Sequence, residues 1–297
     1  MAATIANPIG TRRHGTGFDL VMVLPAAVLF GVFILWPAVE ALVTSLYAEP
    51  NRGGAFIGLA NYRDMAADPV FWTAMKNNVL FILCNLVVQV GIGTVFAALI
   101  DQGIRRGSTA IRTIIFAPLV IAPVAIGVVW SMLLEPNFGL VRQTVNATGL
   151  PYPRQGLLGN PDLAFPTIVA VGAWNYIGFM MTIMLAAMQG IPRDLYEAAR
   201  LDGSSPLQTF WNITLPGVRS ALILCALIVI VGSFKTFELV YVLTRGGPGN
   251  STQVLGTYIV EAAFTLFRPN YAAGMSVVVL LVAILFGSLQ VWNGRRA

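Results

Sequence analysis

Two oppositely charged residues interrupt an otherwise apolar stretch, and their types could do chemistry there. Lys235 and Glu238 stand three positions apart in the run of about 218–243, so a helix would place them on one face. A charge at the centre of a bilayer costs about 2.5–3.5 kcal/mol on insertion scales, which makes such groups candidates for function. They could line a path for a polar solute, neutralise each other, or reach toward the outer surface.

A second apolar stretch combines aromatic and polar side chains at a comparable depth. It contains Trp-Asn-Tyr at 174–176 and then Phe179. Aromatic faces can stack on a ring-shaped solute while amide and hydroxyl groups bond its oxygens, but the same residue types also join transmembrane helices. Asn85 and Gln89, one turn apart in a third stretch, are interpreted as packing or gate elements, with packing favoured.

The sequence lacks the residues that most catalytic and metal-binding sites require. His14 is the one histidine and lies in the N-terminal tail, which argues against histidine catalysis and histidine-rich metal sites. Cys84 and Cys225 sit in apolar runs, where cysteine behaves as a small hydrophobe. No glycine-rich loop ending in Gly-Lys-Ser or Gly-Lys-Thr occurs, so the chain itself has no such site for ATP.

The composition says which kind of element must position these residues. Of 297 residues, 57% are hydrophobic and 10% are charged, whereas soluble domains carry about 25% charged residues. The net charge of +5 is spread over scattered arginines, a pattern that does not favour nucleic-acid binding. These figures indicate an all-α polytopic membrane protein. A bilayer needs roughly 20 apolar residues per helix, and six segments satisfy this: about 20–46, 77–100, 112–134, 164–189, 218–243 and 272–292.

The distribution of arginine predicts the orientation. With a cytoplasmic N-terminus, the inner segments hold 10 arginines in roughly 63 residues, and the outer loops hold 6 in roughly 84. We therefore expect both termini inside, a cytoplasmic tail at 1–19, and one transmembrane domain spanning 1–297. Pro25 and Pro37 are expected to bend the first segment, which is too long for a cleaved signal.

The inner loop of about 190–217 is predicted to fold as two short helices joined by a turn. Pro192 suits the first turn of one helix, and Gly203 can close it in the left-handed conformation. Ser204 or Ser205 can cap the second helix before Pro206. Helices this short are marginal alone in water, so the pair should dock on this protein or on a partner, or else lie on the lipid headgroups.

The same loop carries a resemblance to a known family. Its residues fill every position of the EAA motif at the right spacing: Glu197, Ala198, Ala199, Gly203, Ile213, Leu215 and Pro216. This motif is typical of the membrane subunits of binding-protein-dependent ABC importers. The resemblance implies a type I importer permease fold with six helices. It also implies a coupling helix that sits in a cleft of a cytoplasmic ATPase subunit, with these residues transmitting ATP-driven closure: Glu197, Ala198, Ala199, Asp202 and Gly203.

Looser similarities narrow the branch of that family. Residues 56–62 with 68–72, and 243–248 with Ser251 and Thr252, resemble the outer loops of the carbohydrate-uptake (maltose-type) importers. In that branch the fourth and fifth core helices line the sugar site. The resemblance therefore implies a substrate path through Asn175, Tyr176, Phe179, Ser233, Lys235 and Thr236. Lys235 further suggests an anionic sugar or polyol as cargo.

The function that the resemblance implies is import of a carbohydrate or carbohydrate derivative by alternating access across a bacterial-type inner membrane. The expected partners are a second homologous permease, two cytoplasmic ATPase subunits and an extracytoplasmic substrate-binding protein. The chain itself would be non-catalytic and without cofactor or metal, with ATP and Mg²⁺ on the ATPase subunits.

Three other functions remain open from the sequence. The first is a permease of an ABC importer for a non-sugar solute. The second is an ion-coupled secondary transporter, which would need no coupling loop and usually has inverted repeats. The third is an integral-membrane enzyme, for which only Lys235 and Glu238 are available as buried ionisable residues.

Overall fold

The computed structural model describes residues 16–50, 53–102, 107–234 and 236–294. Within these ranges the chain consists of helices and turns, with one isolated β-bridge between Tyr47 and Phe56. The all-α class predicted from the sequence is confirmed.

Each of the six predicted segments coincides with helical structure in the described ranges. Three helices are long and apolar enough to cross a membrane unaided: Met22–Thr44, Pro69–Gln102 and Pro161–Gln189. Two bent pairs raise the number to five: Ser108–Val120 with Pro123–Leu133, and Pro206–Gly217 with Arg219–Phe234. A further apolar helix, Pro269–Gly294, falls on the sixth predicted segment. We call these spans 1 to 6 in chain order.

Shorter helices and widened turns complete the described fold. The short helices outside the spans are Ala60–Ala67, Leu140–Ala147, Arg193–Leu201, Phe237–Leu243 and Leu255–Val260. The π-helical turns are Gly31–Leu35, Leu86–Ile92, Phe210–Thr214 and Glu261–Thr265. Gly31–Leu35 lies in front of Pro37 within span 1, where the amide of Trp36 bonds the Gly31 carbonyl. Three of these short helices, Ala60–Ala67, Leu140–Ala147 and Leu255–Val260, lie between predicted segments, in the outer loops.

Span 3 is not the single rod that the hydropathy of 112–134 predicts. Its two halves meet at 99°. Proline removes an amide donor and pushes the residue before it out of the helical region. Ala122, which precedes Pro123, accordingly has φ −57° and ψ 138°, and Pro118 lies in a 3₁₀ turn that ends the first half.

The predicted segment 218–243 is not one helix either. The second half of span 5 runs from Arg219 to Phe234, and a separate helix runs from Phe237 to Leu243. Thr236, with ψ 45°, begins that second helix from a non-helical conformation. Lys235 lies outside the described residues.

Span 2 begins eight residues before the predicted start at 77. Asp68 caps it, accepting a hydrogen bond from the Val70 amide at 2.8 Å, and Pro69 occupies the first turn, where its missing N–H costs nothing. The Asp68 carboxylate also accepts hydrogen bonds from the hydroxyls of Tyr258 and Tyr271. One carboxylate therefore joins span 2 to Leu255–Val260 and to span 6.

We expect Asp68→Ala to lower the free energy of unfolding by about 2 kcal/mol, because two tyrosine hydroxyls lose a charged acceptor and a helix loses its cap. Burial raises the pKa of Asp68, but the hydrogen bonds from Tyr258, Tyr271 and two backbone amides outweigh it and lower the pKa from its ordinary 3.8. Stability from this group is therefore present above that value and is lost as the pH falls through the lower native pKa. Thermal unfolding in detergent across this pH range measures both effects. Asp64→Ala, at a side chain 60% exposed, is the control and should change stability by less than about 0.5 kcal/mol.

Candidate functional site

A cavity of about 340 Å³ opens between spans 2, 3, 4 and 5. Its walls are mostly apolar, with a few amide, hydroxyl and carboxylate groups. Four of the predicted substrate-path residues line it: Asn175, Tyr176, Ser233 and Thr236. An apolar cavity with a few convergent polar groups is the usual form of a small-molecule site.

The two other predicted path residues are not among its lining residues. Phe179 packs against the apolar cluster that holds spans 2, 4 and 5 together. Lys235 is outside the described residues, whereas its sequence partner Glu238 does line the cavity and is exposed to it.

Asn175 holds the bend of span 3. Its side chain is 4% exposed, and its Nδ2 donates to the carbonyl oxygen of Pro118 at 2.8 Å. Pro118 lies in the turn that ends the first half of span 3, where carbonyls have lost their helical partners. Asn175 therefore joins two spans, which is one of the two roles that the sequence allowed, and it also lies on the cavity wall.

Gln89 lines the cavity and was assigned from the sequence to packing or a gate rather than to the path. It lies in the π-helical turn Leu86–Ile92, and Nε2 donates to Asn85 Oδ1 at 2.7 Å. Asn85 in turn donates to the Phe81 carbonyl at 2.8 Å. π-Helical turns are frequent at functional sites because they redirect side chains out of regular spacing. In the sequence, the one-turn spacing of Asn85 and Gln89 indicated that the two side chains interact. The position of Gln89 at the cavity depends on the π-helical turn, which that spacing does not predict.

The hydroxyls on span 5 are partly committed to their own helix. Ser233 Oγ donates to the Val229 carbonyl at 2.7 Å, and Thr236 Oγ1 donates to the Gly232 carbonyl at 3.1 Å. Each oxygen can still accept a hydrogen bond from a solute. Gly232, which directly precedes Ser233, also lines the cavity, and a Cβ added there would meet no atom within 4 Å.

The Gly232 position predicts a direct test of the cavity. We expect Gly232→Phe to fill it and lower transport more than tenfold, with little change in stability because the added Cβ meets nothing. Uptake and the thermal unfolding midpoint should be measured together. Gly91→Phe is the matched control, since Gly91 is also exposed with no atom within 4 Å of an added Cβ but does not line the cavity. Equal uptake by the two variants would argue against a path through this cavity.

The predicted two-helix loop at 190–217 is confirmed, and its ends use the expected residues. Arg193–Leu201 ends with Gly203 at φ 74°, whose amide bonds the Arg200 carbonyl while the Ser204 amide bonds the Ala199 carbonyl. This is the glycine-terminated end that the sequence suggested. Ser205 forms a reciprocal capping box with Gln208. Pro192, predicted in the first turn, instead takes the capping position at ψ 131°.

The five predicted coupling residues face different surroundings. Ala199 is buried at 7% exposure, whereas Glu197, Ala198, Asp202 and Gly203 are exposed. Four large apolar side chains of the same loop are also exposed, and three of them exceed 50%: Leu201 at 89%, Leu207 at 67% and Trp211 at 58%. We call these three the exposed apolar set. Leu207, Phe210 and Trp211 stand at helical spacing i, i+3 and i+4, and this apolar face is therefore only partly covered within the described chain.

A buried hydroxyl links this loop to the spans. Thr214 is fully buried, and its Oγ1 lies 3.2 Å from the Tyr196 hydroxyl and accepts from Gln102 Nε2 at 3.4 Å. Tyr196 belongs to the first loop helix and Gln102 is the last residue of span 2. Thr214 therefore contacts both the first loop helix and the end of span 2. The sequence singled out neighbouring Ile213 and Leu215 but not Thr214.

The chain was compared with known proteins. Residues 89–297 match the family described as binding-protein-dependent transport system inner membrane component. A probable ABC transporter permease protein, YurN of Bacillus subtilis, is 34% identical over 272 residues, which cover 90% of this chain and 92% of the relative. The lactose transport system permease protein LacF of Rhizobium radiobacter is 33% identical over 300 residues, which cover 100% of this chain and 99% of the relative.

A solved structure gives the same fold. It is the crystal structure of a bacterial ABC transporter involved in the import of the acidic polysaccharide alginate, matched with a TM-score of 0.82 and 23% identity over 94% of this chain and 96% of that chain. The predicted permease fold is thereby confirmed. Taken with the family match, the resemblance seen in the loop at 190–217 is confirmed as well: the chain is an inner membrane component of the binding-protein-dependent transport systems.

Proposed function

We propose that this chain is the permease subunit of an ATP-driven importer that moves a carbohydrate or carbohydrate derivative through the cavity between spans 2 to 5. The cavity is the observation that carries the proposal. Amide, hydroxyl and carboxylate groups of Gln89, Asn175, Ser233 and Glu238 lie beside apolar and aromatic walls, a combination that suits sugar rings and their hydroxyls. The similarity to a lactose permease along the whole chain supports the same class of cargo.

The mechanism that fits the geometry is alternating access driven from the cytoplasmic loop. Binding of ATP and Mg²⁺ to two separate ATPase subunits would draw those subunits together and move Arg193–Leu201. The contact of Tyr196 with Thr214, and of Thr214 with Gln102, would pass this movement to spans 2 and 5, two of the four cavity walls. A second homologous permease and an extracytoplasmic binding protein complete the proposed complex, which sits in a bacterial-type cytoplasmic membrane. This chain would be its non-catalytic part.

The proposed function is tested by transport with purified components. The chain, with the subunits that co-purify with it, should be reconstituted into proteoliposomes with ATP at the ATPase side and its cognate binding protein at the other. A panel of labelled neutral sugars, polyols, sugar acids and sugar phosphates should include at least one that accumulates, while labelled amino acids do not. Accumulation driven by an ion gradient without ATP would identify a secondary transporter instead.

The argument for an anionic cargo depends on the positive charge of Lys235. If the cargo is an anionic sugar or polyol, Lys235→Ala should raise the substrate concentration needed for half-maximal uptake of the anionic member of a neutral and anionic pair, and leave the neutral member unchanged. Unchanged preference would remove the argument for an anionic cargo.

A further inference from the structure

A second cavity, of about 650 Å³, lies at the loop-side ends of the spans and takes no part in the proposed sugar path. Its walls come from the last residues of spans 2 and 4, the beginning of span 3, and the helix Arg193–Leu201. We call it the span-end pocket. Because spans 2 and 4 end there at Gln102 and Gln189, the pocket lies at the level where a bilayer's hydrocarbon gives way to headgroups.

Three arginines line the span-end pocket without carboxylate partners. Arg112, Arg193 and Arg200 share it with two acidic residues, Asp101 and Glu197. Among the described residues the ion pair within 4.0 Å is that of Arg268 with Asp64, so none of the three guanidinium groups is paired with either carboxylate. The pocket therefore presents three guanidinium groups against two carboxylates, and none of these five groups forms an ion pair with another.

Arg112 supplies the more specific observation. Its Nε is shielded from solvent and has no hydrogen-bond acceptor among the described residues. Buried donors in native proteins are nearly always paired, so this N–H calls for an acceptor beyond the described residues, and a bound ligand can supply one. The guanidinium fork matches the oxygens of a phosphate group, which can accept two of its N–H bonds at once.

We propose that the span-end pocket binds the phosphate of an anionic phospholipid from the adjacent leaflet. The half-buried apolar side chain of Ile191 forms part of its wall and suits the glycerol and first acyl carbons. Basic pockets between transmembrane helices at this level are where anionic headgroups bind. Arg193 and Arg200 belong to the loop helix, so the bound lipid ties that helix to the ends of spans 2 and 4.

The test measures lipid binding directly and needs no cargo. The full chain, in neutral detergent with the subunits that co-purify, is titrated with dioctanoyl phosphatidylglycerol, with dioctanoyl phosphatidylcholine and with inorganic phosphate, and bound lipid is counted by native mass spectrometry. We expect phosphatidylglycerol to bind at least fivefold more tightly than phosphatidylcholine. Arg112→Gln should weaken its binding about tenfold, and Arg154→Gln, at an exposed residue of the outer loop, should leave it unchanged.

A second variant keeps the test decisive if Arg112→Gln fails to fold. Arg193 is exposed on the loop helix, so Arg193→Gln folds normally and should weaken phosphatidylglycerol binding about threefold. Equal binding of the two lipids, or unchanged affinity in both variants, would overturn the proposal. If inorganic phosphate displaced phosphatidylglycerol at concentrations equal to that of the lipid, the proposal of a bound lipid would be wrong. The pocket would then be a site for a free phosphate ion. Each result is independent of whether the chain transports a sugar.

Discussion

Gly178→Ala is expected to lower the free energy of unfolding by about 3 kcal/mol, a large loss for the addition of one methyl group. A Cβ at this position of span 4 would lie 2.2 Å from the carbonyl oxygen of Ile115 and 2.7 Å from the Cα of Phe116. Both atoms are backbone, so the clash is not relieved by a rotamer change and the first half of span 3 must move away. That movement would lengthen the nearby hydrogen bond from Asn175 to Pro118, which fixes the bend of span 3.

The measurement is the thermal unfolding midpoint and the yield of monodisperse chain in detergent. Gly232→Ala is the matched control, because it is also a helical glycine within a span and a Cβ there meets no atom within 4 Å. It should raise stability slightly, since alanine is favoured over glycine in helices by about 1 kcal/mol. Equal midpoints for the two variants would mean that spans 3 and 4 do not approach as closely as 2.2 Å implies.

Local signals explain which parts of the fold the sequence predicted well. The ends of the loop helices follow from Gly203, Ser205 and Pro206, because turn and cap preferences act over a few residues. The spans follow from hydropathy, since a bilayer demands length and apolarity and little else. The EAA motif added the family, because its spacing within that loop is specific.

The features that the sequence did not predict depend on contacts between residues that are far apart in the chain or on local helix geometry. Pro118 and Pro123 signal a break in span 3, but its 99° angle depends on Asn175, 57 positions away along the chain, bonding the Pro118 carbonyl. Gln89 reaches the cavity through a widened turn that has no periodic signature in sequence. Phe179 shares a helix with Asn175 but packs against the apolar cluster that joins spans 2, 4 and 5.

The exposed apolar set on the loop at 190–217 carries the second large expected effect. Leu207→Asp should reduce ATP-driven uptake at least tenfold and weaken the association of the ATPase subunit. If Leu207, 67% exposed in this chain, is buried by that subunit, an unpaired carboxylate in its place costs about 3 kcal/mol, or roughly a hundredfold in affinity. The chain itself should keep its stability, because an acidic residue in the first turn of Pro206–Thr209 suits the helix dipole.

Co-purification of the ATPase subunit and uptake into proteoliposomes measure this effect, and Leu150→Asp is the control. Leu150 is 62% exposed and follows the helix Leu140–Ala147 in the outer loop, so the same change there should leave both measurements unaltered. The comparison also decides between the two occupants that the sequence left open for this loop. An ATPase cleft requires Leu207→Asp to abolish co-purification. A loop resting on headgroups would leave co-purification intact, because the new carboxylate would then face lipid and water and would disturb no protein contact.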